Sequence, residues 1–214
     1  MITFVTNFDE ATEANYNIYN TLEITPTISL TGVEATATNL STELSNEERD
    51  IFAMSHGDNH ILYDQNGVTT FSEHIFEQLE LTDINIFSFA CNTSNLLGEI
   101  ASRNSCNWLG FAEPINPPEQ DEELHDIYKS LFEYIISTYT NVKCEGTASQ
   151  FLNDLKNLCE QKAEEIDSLI DSENFYAPIA AYQSIKQIWE KQKIWLANIT
   201  VPIMHDDAPV PIIW

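Results

Sequence analysis

Basic residues are scarce in this chain: nine lysines and arginines stand against 34 aspartates and glutamates, a formal net charge of −25 over 214 residues. Phosphate binding needs clustered Lys and Arg, so neither nucleic acid nor an anionic membrane is expected as a partner. Long apolar runs are missing as well. No stretch reaches the roughly 18 residues that a membrane-crossing helix needs. The start, Met1 to Glu10, has neither the basic region nor the small-residue cleavage site of a secretory leader. Cys91, Cys106, Cys144 and Cys159 show no spacing of the disulfide or metal type, and no loop has the EF-hand pattern. The expectation is therefore a reduced cytoplasmic protein with no cofactor and no metal. A Gly-x-Ser/Cys-x-Gly elbow is also lacking, which argues against a hydrolase of the α/β-hydrolase type.

What is present describes a well-packed chain. Hydrophobic residues make up 43% and aromatics 11%, enough to exclude a disordered protein despite the charge. The length suits one α/β domain over residues 1–214, with a core of about 1–170 and a C-terminal helix and tail over 171–214. Apolar strand-like runs at Ile2–Asn7, Thr31–Thr38, Asp50–Met54, Ile84–Phe89 and Cys106–Ala112 alternate with helical patterns at Glu10–Leu22, Thr42–Glu48, Ser72–Leu81 and from Leu96 onward. This alternation predicts a mostly parallel sheet flanked by helices, joined by right-handed crossovers. Asn66-Gly67 marks a hairpin between His60–Tyr63 and Val68–Phe71. Beyond Pro118 the pattern becomes helical over Leu124–Tyr139, Thr147–Ile170 and Ile179–Ile199. The tail, Val201–Trp214, is apolar and interrupted by prolines, so an edge strand or an extended docked segment is expected, with Val210, Ile212, Ile213 and Trp214 too apolar to hang in water.

Two strand ends carry the candidate chemistry. The run Ile84–Phe89 leads into Ala90-Cys91-Asn92-Thr93-Ser94, where Thr93 and Ser94 are helix-start residues, so Cys91 falls at a strand-to-helix turn. A nearby helix N-terminus favours thiolate over thiol. Upstream, Asp50–Met54 leads into Ser55-His56-Gly57 with the same layout. If the two strands are parallel neighbours, His56 and Cys91 meet at the sheet edge where ligands bind in open α/β folds. His60, His74, His125 and His205 lack such a partner and are taken as surface or local residues, and Cys106, Cys144 and Cys159 as core thiols.

Ser55-His56-Gly57 followed by Ala90-Cys91-Asn92-Thr93-Ser94 resembles the caspase-like cysteine peptidases, most of all the CHAT group related to separase and the gingipains. Trp108–Ile115, the acidic loop after it and the helix Asp126–Phe132 are similar to the elements that follow the cysteine in that group. The resemblance covers roughly residues 1–170 and implies a caspase-like sheet.

It implies acyl transfer to Cys91 with His56 as acid and base, and backbone N–H groups of Gly57 and Cys91 as oxyanion donors. On the family layout, Asp58 and Glu113 are the nearest carboxylates for a substrate pocket. Residues 1–128 hold 22 acids against Arg49 and Arg103 alone, so cleavage after a basic residue of a protein or peptide substrate is expected. Caspases and metacaspases commonly carry an acid or glutamine just before the cysteine, where this chain has Phe89 and Ala90. The family setting adds a proteolytic effector in bacterial defence or signalling, with control by a regulatory partner protein. The competing reading is a catalytically inactive scaffold of the same fold that binds a basic partner protein.

Overall fold

A computed structural model describes residues 1–44, 50–170 and 175–209. The elements run β1 (Ile2–Val5), α1 (Glu10–Tyr19), β2 (Ile28–Thr31), α2 (Ala37–Leu44), β3 (Asp50–Met54), β4 (Leu62–Tyr63), β5 (Thr69–Phe71), α3 (Glu73–Gln78), β6 (Asn85–Phe89), α4 (Leu96–Arg103), β7 (Asn107–Phe111), α5 (Glu122–Thr138), α6 (Glu145–Asp167), α7 (Tyr176–Glu190) and β8 (Gln192–Trp195). Six strands form one sheet in the order β2-β1-β3-β6-β7-β8, and β4 and β5 form the separate hairpin. The first five strands are parallel and β8 closes the edge antiparallel to β7. The fold is thus the expected α/β class: a mostly parallel sheet flanked by helices, with helices in the C-terminal part.

Strict alternation along each strand builds two cores. Phe52, Met54, Phe87, Phe89, Leu109 and Phe111 face the layer of α1, α5, α6 and α7. Ile51, Ala53, Ile86 and Trp108 face the layer of α2, α3, α4 and the hairpin. Both faces of the central strands are dry, as parallel strands covered on both sides require. Phe52 stacks on Phe87 with ring centroids 5.5 Å apart, and Phe89 meets Phe132 of α5 edge-on at 5.0 Å. Each such ring contributes roughly 1.5–3 kcal/mol through burial, so the strands that end at His56 and Cys91 are among the best anchored in the molecule.

Three segments differ from expectation. Helix was predicted over Ile179–Ile199, but α7 stops at Glu190 and Gln192–Trp195 pairs with β7. The unpaired backbone groups on the outer edge of β7 outcompete continued helix, because Ile194 and Trp195 can then bury on opposite faces. A strand was predicted over Thr31–Thr38, but β2 lies earlier and ends at Thr31, just before Gly32, whose φ of +51° turns the chain. Helix α2 then starts at Ala37, whose N–H is received by Asp64 Oδ2 at 3.0 Å, so Asp64 caps a helix as well as shaping its own turn. The last residues of the helix expected at Thr42–Glu48, and Val210–Trp214 of the tail, lie outside the described residues. The tail before them docks as expected of an extended segment: Ile203 and Ile194 exchange both backbone hydrogen bonds, at 2.8 and 2.9 Å.

Trp195 joins β8 to the turn after Cys91. Its indole N–H donates to the Ser94 carbonyl at 2.7 Å, and the ring lies so close to Gly98 of α4 that a side chain there would collide with it. Trp195→Ala is expected to lower the unfolding free energy by about 3–5 kcal/mol, and Trp195→Phe by about 1 kcal/mol for the hydrogen bond alone. Urea melts of the two variants measure both; equal losses would mean that packing of the ring contributes nothing.

Candidate active site

Four chain segments leave the parallel strands at the same edge of the sheet, and each brings one part of the site. The register pairs Met54 with Phe89, and the ladder runs on through the Ser55 N–H to the Phe89 carbonyl at 3.2 Å. His56 and Cys91 therefore stand at equivalent positions, two residues past the last registered pair. From β1, the Thr6 N–H reaches the Met54 carbonyl at 3.1 Å and Thr6 Oγ1 donates to Ser55 Oγ at 3.0 Å. Ser55 Oγ in turn donates to the Tyr63 carbonyl at 2.8 Å, tying the hairpin to the same point. From β7, the carbonyl of Glu113 receives the Asn92 N–H at 3.4 Å.

Gly57 is needed because the histidine loop lies directly against the cysteine turn. A Cβ there would collide with Thr93 Cγ2 and stand 3.1 Å from both Ala90 Cβ and the Cys91 carbonyl oxygen. Among the described residues, the N–H groups of Gly57 and Cys91 have no hydrogen-bond acceptor. Free backbone donors on the two loops that meet at this point are suited to a developing oxyanion. Thr93 and Ser94, expected as helix caps, are instead fully buried and hold the turn: Thr93 Oγ1 bonds the Ala90 carbonyl at 3.3 Å and Ser94 Oγ the Lys193 carbonyl at 2.8 Å.

His56 has a carboxylate partner that the sequence reading missed. Its Nε2 lies 2.6 Å from Asp9 Oδ2, and its ring meets Phe8 edge-on at 5.3 Å. Asp9 is also the N-cap of α1, where Oδ1 receives the Thr12 N–H at 3.0 Å. Partial burial works to raise the Asp9 carboxyl, but the hydrogen bonds from Thr12 and His56 outweigh it and hold the group below the ordinary 3.8. A depressed carboxylate contributes stability above the ordinary value and loses it as pH falls through the lowered one. The pair adds little to stability, since the two side chains are 39% and 44% exposed; its consequence is orientation of the ring. The clue in the sequence is Asp9 just ahead of a predicted helix, but only the pairing of β1 with β3 brings that cap to His56.

The Cys91 thiol is half-exposed and held by backbone. The Ile115 N–H points at Sγ from 3.4 Å, and Sγ lies 3.7 Å from the Ile115 carbonyl. Cys106 and Cys159 are buried thiols, and burial drives Cys159 well above the usual thiol range. Cys144, expected in the core, is exposed at the start of α6, where hydrogen bonds from the Thr147 backbone and hydroxyl lower its pKa. His56 and Cys91 line one small cleft of about 40 Å³, walled by Ala11 and Asn15 of α1, Phe89, and Ile115 and Pro117 of the loop after β7. Ala11 and Pro117 also line a wider neighbouring groove that bears Asp9, Glu10 and Glu119. Burial and the nearby Asp121 raise the Glu119 carboxyl.

The two carboxylates expected from the family layout have other side-chain partners. Asp58 Oδ1 receives the N–H groups of His60 and Ile61 at 2.8 and 3.0 Å, and Oδ2 the Tyr63 hydroxyl at 3.0 Å, so it shapes the hairpin turn. Glu113 sits 3.8 Å from Lys191 Nζ. Neither lines the cleft with Cys91. Among the described residues no cluster of ligating side chains could hold a metal ion, and no helix is long and apolar enough to cross a membrane.

Fold and site together define an α/β protein with a cysteine and a histidine at the carboxyl edge of a parallel sheet. No protein-family model, no curated protein and no solved structure matches the chain.

The double duty of Asp9 can be taken apart. Asp9→Asn keeps a good N-cap but no carboxylate for His56, and Asp9→Ala loses both. Thermal and urea melts should show a loss of about 1 kcal/mol for Asp9→Ala and little for Asp9→Asn. The rate at which an electrophile alkylates Cys91 should fall severalfold in both variants if the carboxylate orients His56 beside it. An unchanged rate in Asp9→Asn would make the contact a helix cap and nothing else.

Proposed function

We propose that this chain is a cysteine endopeptidase of the caspase-like, CHAT-related type. The observation that carries the reading is the β3–β6 register, which sends His56 and Cys91 off adjacent parallel strands into one cleft. The free N–H groups of Gly57 and Cys91 and the Asp9 carboxylate on His56 support it.

With Nε2–H directed at Asp9, Nδ1 is the ring nitrogen left to take the thiol proton. The Cys91 sulfur attacks the scissile carbonyl carbon, and the oxyanion meets the two N–H donors. Collapse breaks the C–N bond, with His56 returning the proton to the leaving amine and a thioester left on Cys91. Water, deprotonated by His56, attacks the thioester carbonyl, and the thiol departs as the acid product is released. For any of this the Ile115 backbone must give up its contacts with Sγ. Extended substrate backbone can then pair with the freed Ile115 N–H and C=O.

A basic side chain before the scissile bond suits the cleft. Its apolar stem matches Ala11, Phe89, Ile115 and Pro117, and its cationic head matches the neighbouring acidic groove, with Glu10 and Glu119 taking the place first given to Asp58 and Glu113. The family resemblance further makes such an enzyme a proteolytic effector in bacterial defence or signalling, held in check by a regulatory partner. One observation favours the alternative of an inactive scaffold for a basic partner protein: the thiol is covered by Ile115 rather than poised on His56.

Cys91→Ala and His56→Ala are expected to reduce hydrolysis of fluorogenic peptides by roughly 10³-fold or more, with stability changed by less than about 1 kcal/mol because neither side chain is packed in a core. Activity that survives Cys91→Ala but is lost in Cys106→Ala would overturn the assignment. Against a panel differing only before the scissile bond, turnover of Arg and Lys peptides should fall as salt rises from 50 to 500 mM while norleucine peptides change little. A preference for Asp would contradict the electrostatic part.

A further inference from the structure

Both backbone groups of Ile115 are spent on one thiol: the N–H points at Cys91 Sγ from 3.4 Å, and the carbonyl lies 3.7 Å from the same atom. Sulfur is a weak acceptor and a weak donor, so these contacts alone do not hold the chain there. What holds it lies one residue to either side, and both contacts go to the end of α7. Lys191 Nζ donates to the Pro114 carbonyl at 2.6 Å, and the Asn116 N–H donates to Gln187 Oε1 at 2.8 Å. Gln187 and Lys191, the residue that caps α7, are four positions apart and so share one face of that helix end. The same ammonium stands 3.8 Å from Glu113 Oε2. The helix is itself anchored here, with Ile185, Ile188 and Trp189 buried. Upstream of Ile115, Ala112 is fixed at both backbone groups: its N–H donates to the Lys191 carbonyl at 2.9 Å and its carbonyl receives the Asn95 side-chain amide at 2.7 Å. Downstream, Gln120 Oε1 receives the Asn17 amide at 2.7 Å. Between these two ends, residues 113–119 form neither helix nor strand.

We infer that Gln187 and Lys191 are positioning residues that clamp Ile115 over Cys91, so that the covered thiol is a resting state whose release is controlled from the end of α7. The segment is a strap fastened at both ends and drawn onto the sulfur at its middle. Loss of either contact to α7 frees a direct neighbour of Ile115, and the two weak sulfur contacts are then left to compete with water. A hydrogen bond from an ammonium is stronger than either contact to sulfur, so Lys191 carries more of the hold than Gln187. Glu113 keeps the ammonium on the strap side of the helix end. The clamp does not depend on what Cys91 reacts with. Its meaning as a brake on turnover rests on the endopeptidase reading, in which extended substrate backbone takes over the Ile115 N–H and C=O. A strap that is mostly closed then weakens apparent substrate affinity by the fraction of time it is open and leaves the chemical step unchanged.

Alkylation of the thiols by iodoacetamide, followed cysteine by cysteine with peptide-mapped mass spectrometry, reads the strap directly. Gln187→Leu and Lys191→Met keep side chains of similar length on the helix while removing the acceptor and the donor. Cys91 should be modified severalfold faster in each variant and about tenfold faster in the double variant, with exposed Cys144 unchanged and buried Cys106 and Cys159 still unmodified. Gln187→Glu and Lys191→Arg, which keep an acceptor and a donor, should stay within about twofold of the wild type. An unchanged Cys91 rate in the double variant, or a rise that the two conservative variants share, overturns the inference. A rise accompanied by modification of Cys106 and Cys159 is a loosening of the fold, and Gln187→Leu alone then decides by the same two readings. On fluorogenic peptides the double variant should lower KM about tenfold with kcat changed less than about twofold. Peptide cleavage by the wild type with no variant altering Cys91 alkylation leaves the peptidase standing without the strap. Faster alkylation in a protein that cleaves no peptide leaves the strap standing without the peptidase.

Discussion

The parallel ladder between β3 and β6 is the constraint on which the rest of the site depends. Side chains alternate along both strands, and Ile51, Phe52 and Ala53 are opposed in register to Ile86, Phe87 and Ser88. A slip of one residue would turn the phenylalanines from the α5 side to the α4 side. The aromatic packing of Phe52, Phe87, Phe89 and Phe132 therefore fixes how the two strands end, as well as contributing stability. His56 and Cys91 are placed by a core that neither of them belongs to.

A second dependence runs through β1. Because β1 pairs with β3, the N-terminus of α1 comes to rest beside the histidine, and one aspartate serves both. Asp9 spends one oxygen on the helix and the other on the imidazole. The same helix then presents Ala11 and Asn15 to the cleft, so its cap, the orientation of His56 and the wall of the pocket are mechanically linked. The loop after β7 closes the other side through Ile115 and Pro117, and there the backbone holds the thiol. Beside it the carboxylates of Glu10 and Glu119 line an acidic groove, in a chain whose net charge is −25. An approaching cation meets a favourable field before it makes any contact.

Much of this was legible in the sequence, because strand ends punctuated by His56-Gly57 and by Ala90-Cys91 are local signals and the periodicity that makes the sheet is local too. Register and strand order are not local. Asp9 could be recognised as a residue ahead of a helix, but its role needed the β1–β3 pairing. Asp58 and Glu113 were the nearest carboxylates on the family layout, yet Asp58 shapes the hairpin turn and Glu113 sits beside Lys191. The strand at Gln192–Trp195 was taken for helix because Ile188, Trp189 and Leu196 fit helical spacing; the open edge of β7 decided the matter.

The central claim is that Cys91 reacts as a nucleophile because His56 and the cleft make it one, and the four thiols of this chain offer an internal comparison. Cys144 is exposed with a lowered pKa, so a small alkylating agent such as iodoacetamide should modify it readily. A peptidyl acyloxymethyl ketone ending in arginine should instead label Cys91, and the label should vanish in His56→Ala while Cys144 alkylation persists. Peptide-mapped mass spectrometry of both reactions on the same protein is the most direct measurement. Label on Cys91 that depends on His56 is the predicted result; ketone label on Cys144 alone, or on Cys91 undiminished in His56→Ala, would contradict the account.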